Sequence, residues 1–247
     1  MCVQISENFC TLSEIIDGEI KIIVSTFFEK KKDFQYKESL KKIFNESLVK
    51  DKEYDEVSVA WISPKALLVP TNIFSPNETE SLFNTCFQKK AVSSELDFNR
   101  LMEVSIVCIY EIPLWVKSFF IMRYPKVVIQ HEYSHLVRGM MKNSFNLGIQ
   151  VSVFPEIMVL SMVNKNDLIF CNTYEINHLN DVIYYLSFAI QQKELGNVKG
   201  KINFSLNPLI TFQEDELRKN LKRINLFNFY EIHFDATRTL KFQEFCV

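Results

Sequence analysis

His131-Glu132-Tyr133-Ser134-His135 sets two imidazoles one helical turn apart with a glutamate beside the first. On a helix this is the zinc-hydrolase signature, in which the histidines hold the metal and the glutamate polarises its bound water. The neighbouring residues argue against that chemistry. Tyr133, Leu136, Val137, Met140 and Met141 form the apolar stripe, so His131 and His135 are expected largely on the opposite, polar face. Arg138 falls on that same face, three residues past His135, where its fixed charge would oppose a dication. No third ligand is placed by spacing: His178 begins another helix, His233 ends a strand, and Glu156 and Glu175 stand outside any evident helix. The expectation is a solvated helix face, or one between two halves of the chain. No catalytic or metal residue is assigned, and a zinc hydrolase at His131, Glu132 and His135 is kept as an alternative.

Other chemistries leave fainter traces. No Gly-x-Ser-x-Gly elbow occurs, so serine hydrolysis has no support. The 6 cysteines, Cys2, Cys10, Cys86, Cys108, Cys171 and Cys246, never approach the two-residue spacing of a zinc knuckle or redox pair. Cys108 and Cys171 sit in apolar runs and read as small buried hydrophobes. A formal net charge of -2 creates no field that would recruit nucleic acid, and Lys219, Lys222 and Arg223 read as the outer face of a surface helix. Glu111 and Lys117 interrupt the best candidate for a membrane span, and Met1 to Glu14 lacks the pattern of a secretory signal. Together these predict a protein of the reducing cytoplasm, with no nucleic-acid partner and no membrane span.

With 247 residues and an apolar fraction of 47%, the chain can fill one large domain or two lobes. Gln150 to Leu195 is its most legible stretch. Gln150 to Val163 and Leu168 to Thr173 read as two strands turned at Asn164-Lys165-Asn166-Asp167. In the helix that follows, Leu179, Val182, Ile183, Leu186 and Ile190 recur on one face.

The first half has the same order of parts. Cys10 to Ile16 and Glu19 to Phe28 form a hairpin at Asp17-Gly18, and Glu29-Lys30-Lys31-Lys32-Asp33 is a charged turn. Glu38 to Val49 is a helix with Leu40, Ile43, Phe44 and Leu48 on one side. Val57 to Ile62 and Ala66 to Val69 resume the sheet, and Ser75-Pro76-Asn77-Glu78 reads as a capped helix start. Met102 to Ile112 is a buried strand. Trp115, Phe119 and Phe120 belong to the core or, alternatively, to an exposed docking patch. Val127 to Ile129 is a short strand, and Glu132 to Lys142 the helix carrying the histidine pair. After a boundary at Asn143 to Asn146 come the strand Lys201 to Leu206, the helix Gln213 to Lys222 and the strand Phe229 to Phe234. Strands interleaved with helices in two like halves predict an α/β chain with lobes at residues 1–146 and 147–247.

Lys65-Ala66-Leu67-Leu68-Val69-Pro70, the His131 helix, and Leu168 to Tyr174 followed by Asp181-Val182-Ile183-Tyr184-Tyr185-Leu186 resemble an uncharacterised bacterial domain-of-unknown-function family. The resemblance covers most of the chain and implies a two-lobed actin-like ATPase fold, each lobe a ribonuclease-H-like mixed sheet with flanking helices. An ATP site on such a fold lies between the lobes, with the turn of each first hairpin bending around phosphates. That requires close backbone amides, usually from Gly, a Ser or Thr hydroxyl, and an Asp to hold Mg²⁺ through water. The turns offered by sequence are Asp17-Gly18-Glu19-Ile20, where Glu19 would repel phosphate, and Asn164 to Asp167, without glycine. Gly196 and Gly200, two of only 5 glycines, lie in a helix-to-strand connection. The expected function is therefore a non-catalytic module that binds a partner protein and takes no cofactor. A nucleotide-binding ATPase or kinase-like protein is the second alternative.

Overall fold

The structure is a computed structural model that describes every residue except 29–32, 51, 89–90, 93–94, 144–145 and 247. The chain divides into two compact units, residues 1–138 together with 240–247, and residues 139–239.

In the first unit, short apolar segments become strands because each finds a neighbour for its backbone groups. Strands β1 (Cys2–Ile5), β2 (Phe9–Ile16) and β3 (Glu19–Phe27) form an antiparallel meander. Helix α1 (Asp33–Glu46) leads to β4 (Ser58–Trp61), which runs parallel to β1. A small antiparallel sheet follows, made of β5 (Ala66–Pro70), β6 (Leu96–Leu101) and β7 (Ile106–Glu111) in the order β5-β7-β6. Helix α2 (Thr79–Phe87) supplies Phe83 to a core with Val69, Val107 and Ile109. Helix α3 (Leu114–Arg123) precedes β8 (Val128–His131), which closes the five-stranded sheet β3-β2-β1-β4-β8, and α4 (Glu132–Asn143) follows without an intervening residue.

The second unit repeats that sheet. Strands β9 (Gly148–Phe154), β10 (Ile157–Asn164) and β11 (Asp167–Glu175) form the meander, then helix α5 (Leu179–Gln192) leads to β12 (Gly200–Leu206). Helix α6 (Glu214–Leu221) connects to β13 (Tyr230–Phe234), and α7 (Arg238–Gln243) follows. The strand order β11-β10-β9-β12-β13 and its polarities match the first sheet. Leu179, Val182, Ile183, Leu186 and Ile190 of α5 pack on Ile149, Val151, Leu160 and Phe204, as the stripe predicts. At the start of β12 a Cβ on Gly200 would lie 2.9 Å from the Leu147 carbonyl, so glycine permits this close strand approach. The α/β class read from the sequence is thus present, and the two like sheets have the strand arrangement that the resemblance implies.

Several local expectations change. The first hairpin of each unit was missed: β1 precedes β2, and the stretch from Gln150 to Val163 is two strands turned at Pro155-Glu156. Asp17-Gly18 and the Lys165-Asn166 turn belong to the second hairpins, with positive φ at all four residues. Met102 opens a 3-10 turn rather than a strand. Ser75 makes no side-chain cap, because a 3-10 turn at Pro76–Glu78 precedes α2. Trp115, Phe119 and Phe120 are buried, which removes the docking-patch alternative. Helix α1 ends before Leu48, which is exposed. The charged turn at 29–33 and the boundary at 143–146 fall largely outside the described residues. Among the described residues no helix is long and apolar enough to cross a membrane.

Candidate functional site

The histidine pair is not solvated. His131, Glu132, Ser134 and His135 are all fully buried, contrary to the polar-face expectation. The reason is the junction itself. His131 is the last residue of β8 and so stands outside the helical wheel, and the start of α4, Glu132 to Val137, is buried on its polar face as well as its apolar one.

His131 is a satisfied structural residue. Its Nε2 lies 3.0 Å from the Ser63 carbonyl and its Nδ1 accepts from the Tyr133 amide at 3.2 Å. That pattern fixes the neutral tautomer protonated on Nε2. Burial depresses its pKa to about 4 against the Ser63 bond, which favours the charged form. Asn99 of β6 fastens the junction, its Oδ1 accepting from the Ser134 hydroxyl at 3.2 Å and the His131 amide at 3.4 Å. Arg138 is engaged, donating to Gln130 at 2.6 Å and the Arg100 carbonyl at 3.0 Å and pairing with Glu103.

Glu132 and His135 differ from their neighbours. Neither carboxylate oxygen and neither ring nitrogen has a hydrogen-bond partner. Burial raises the Glu132 pKa well above the usual carboxylate range, so the group is held as the neutral acid. Burial, then the Arg138 charge, lowers His135 to about 3, while the Val59 main chain, beside the ring but outside hydrogen-bond geometry, opposes slightly. As a metal centre the cluster is short of donors. Both His131 nitrogens are committed, and among the described residues no three His, Cys, Asp or Glu side chains are placed to share an ion. An unmatched buried carboxyl costs about 1–3 kcal/mol. Glu132→Met should therefore raise stability by at least about 2 kcal/mol at pH 7, read from urea midpoints, and an unchanged or lower midpoint would mean that the carboxyl is stabilised where it lies.

The turns of the first hairpins are the second set of candidates, at positions the sequence did not single out. In the first unit the Ser6 hydroxyl accepts from the amides of Asn8 at 3.0 Å and Phe9 at 3.2 Å, while the Ser6 amide donates to the Phe9 carbonyl at 3.0 Å. Glu7 stands exposed at the tip. In the second unit Pro155 lacks an amide hydrogen, and Glu156 takes a φ of 62°. Neither turn contains glycine, and neither β1 nor β9 carries an aspartate. The signal that could have found them was the short run Cys-Val-Gln-Ile before a Ser-x-Asn turn.

Comparison with curated proteins finds no match. Among solved structures, a Bacteroides thetaiotaomicron protein with actin-like ATPase fold and unknown function aligns over 98% of this chain and 94% of its own, at TM-score 0.76 and 18% identity. The cytoplasmic domain of EpsL, an inner-membrane component of the Vibrio cholerae type II secretion system, covers 98% and 93% at TM-score 0.51 and 12% identity. The PilM–PilN type IV pilus biogenesis complex matches over 99% and 93% at TM-score 0.51 and 10% identity. At these identities the likeness is one of fold. Residues 1–224 match the model for "Protein of unknown function (DUF3822)", and the chain belongs to that family.

Proposed function

We propose that the protein is a non-catalytic binding module of actin-like fold, a scaffold for another protein in the bacterial cytoplasm, using neither nucleotide nor metal. The observation that carries this reading is the chemistry of the first-hairpin turns. A triphosphate needs free amides converging on its oxygens and a carboxylate positioned for Mg²⁺. Ser6 instead occupies the amides of its own turn, Pro155 offers none, and Glu7 and Glu156 bring negative charge to the two turns. EpsL and PilM–PilN, parts of secretion and pilus machines, lend support by analogy of fold.

The test is the thermal midpoint with and without millimolar Mg-ATP. A ligand at about 100 times its dissociation constant stabilises by roughly 2.7 kcal/mol. No shift is expected, and a rise of several degrees would overturn the reading. Elemental analysis of untagged protein should find zinc far below one atom per chain. Affinity purification from the native cell should recover a stoichiometric partner, whereas turnover by the isolated protein would reverse the assignment.

A further inference from the structure

Strand β3 is the outer strand of the first sheet, paired with β2. The hydrogen-bond parity of that pair fixes which backbone groups face outward. Phe28 donates to the Asn8 carbonyl at 2.7 Å, and Phe9 stands opposite Phe27. The Phe9–Phe27 pair is therefore non-hydrogen-bonded, as is Thr11–Ser25, while Cys10–Thr26 and Leu12–Val24 exchange their bonds. The amides and carbonyls of Ser25 and Phe27 consequently point away from β2. The Phe27 carbonyl receives a 3.4 Å contact from the Thr26 hydroxyl. Among the described residues no other hydrogen bond reaches these groups.

Alongside this edge an open groove of about 540 Å³ runs between β3 and α1, lined by Ile23, Phe27, Phe28, Lys42, Ile43 and Glu46. Phe27 is 55% exposed and Leu48, at the end of the groove, 67%. Lys42 and Glu46 are exposed and, among the described residues, form no ion pair. Four helical residues rise about 6 Å. Two residues of extended chain span about 6.6 Å.

We propose that this groove accepts an extended segment of another protein as an added strand on β3, with an acidic and a basic residue two positions apart facing Lys42 and Glu46. The proposal rests on the binding-module reading and names the surface and the partner chemistry. Unpaired backbone groups specify an extended chain, because only a strand offers donors and acceptors at matching intervals. Phe27 and Ile43, which line the same groove, give apolar contact for the incoming chain. The two unpaired charges set the direction of the incoming strand, since reversing it brings like charges together.

The probe is a displayed library of linear dodecapeptides selected on the full-length chain. Enriched peptides should be extended and free of central proline, and as free peptides should bind in fluorescence anisotropy. Phe27→Asp and Ser25→Pro should each weaken binding at least 10-fold. The exchange Lys42→Glu with Glu46→Lys should do the same and be rescued by exchanging the two charges in the peptide. Because that last variant changes only exposed positions, it decides the matter if Ser25→Pro fails to fold. Peptides that bind every variant as they bind the wild type, or a library that yields none, overturn the proposal. So does a wild-type dimer in sedimentation that Phe27→Asp dissociates, since the occupant is then a second copy. A native partner that binds all variants equally removes the groove and leaves the binding-module reading standing, whereas Mg-ATP stabilisation removes that reading independently of the peptides.

Discussion

Replacing Phe44 with alanine is expected to cost the first unit about 4 kcal/mol. Its ring is fully buried and meets Phe119 at 5.2 Å, Phe120 at 5.8 Å and Tyr124 at 6.3 Å, with the Arg123 guanidinium 5.3 Å from its centre. Removing it opens a cavity walled by the large rigid rings of α3 and its C-terminal neighbour Tyr124, which cannot collapse without moving α1 against α3. The edge-to-face geometry to two partners adds to the loss beyond area alone. Trp61 and Trp115 both lie in residues 1–138, so their fluorescence reports this unit during urea unfolding. Leu48→Ala is the control: this exposed side chain should change stability by less than about 0.5 kcal/mol. A loss below about 1.5 kcal/mol for Phe44→Ala would mean that the aromatic layer adapts.

Stability should peak near pH 6.5 and fall on both sides. Burial lowers His131 to about 4 and His135 to about 3, from an ordinary 6.5. Their folded forms are neutral, so below pH 6.5 the unfolded chain binds protons that the folded chain refuses. Each unit of pH then costs about 1.4 kcal/mol per histidine, or about 2.7 kcal/mol for the pair, down to about pH 4. Glu132 acts in the opposite sense. Its raised pKa means that above the unfolded value of 4.5 the folded state must retain a proton that the unfolded state releases. Stability is lost from this group as pH rises, by about 1.4 kcal/mol per unit. Between pH 4.5 and 6.5 the two histidines outweigh the one acid, and above pH 6.5 the acid acts alone. Glu14 and Asp181, both lowered, add to the acid loss below the ordinary carboxylate range. Urea midpoints from pH 4 to 8 test this. Glu132→Gln should flatten the alkaline limb, and His135→Leu should leave the profile nearly level between pH 4.5 and 6.5, where the remaining histidine and Glu132 offset each other. A profile that rises steadily to pH 8 would show that Glu132 ionises in the folded protein.

The chain was legible wherever a local rule was strong enough to act alone. The α5 stripe needed only helical periodicity, and Asp17-Gly18 only the turn preference of residues that tolerate positive φ. β1 was invisible because four residues carry no readable alternation, and the strand is held between its hairpin partner β2 and the distant, parallel β4. The turn at Pro155-Glu156 was missed because a glutamate occupies the left-handed position where glycine is the usual signal. The same gap displaced the candidate phosphate turns from the first hairpins to the second. His131 misled for another reason: strand and helix abut with no cap between them, so periodicity assigned it to the wrong element. Burial of Glu132 and His135 is a tertiary outcome: the Val59 main chain of β4 lies beside the His135 ring, and the β6 side chain Asn99 holds Ser134 between them.

Residues 139–239 form one uninterrupted stretch, whereas the other unit draws on two separate segments, with Leu240 and Phe242 buried in it. A ribosome working from the amino end therefore delivers every residue of the later unit before the earlier one has all of its parts. The half made first is the half finished last, and during that interval its unfilled sites for Leu240 and Phe242 are where a chaperone would find apolar surface.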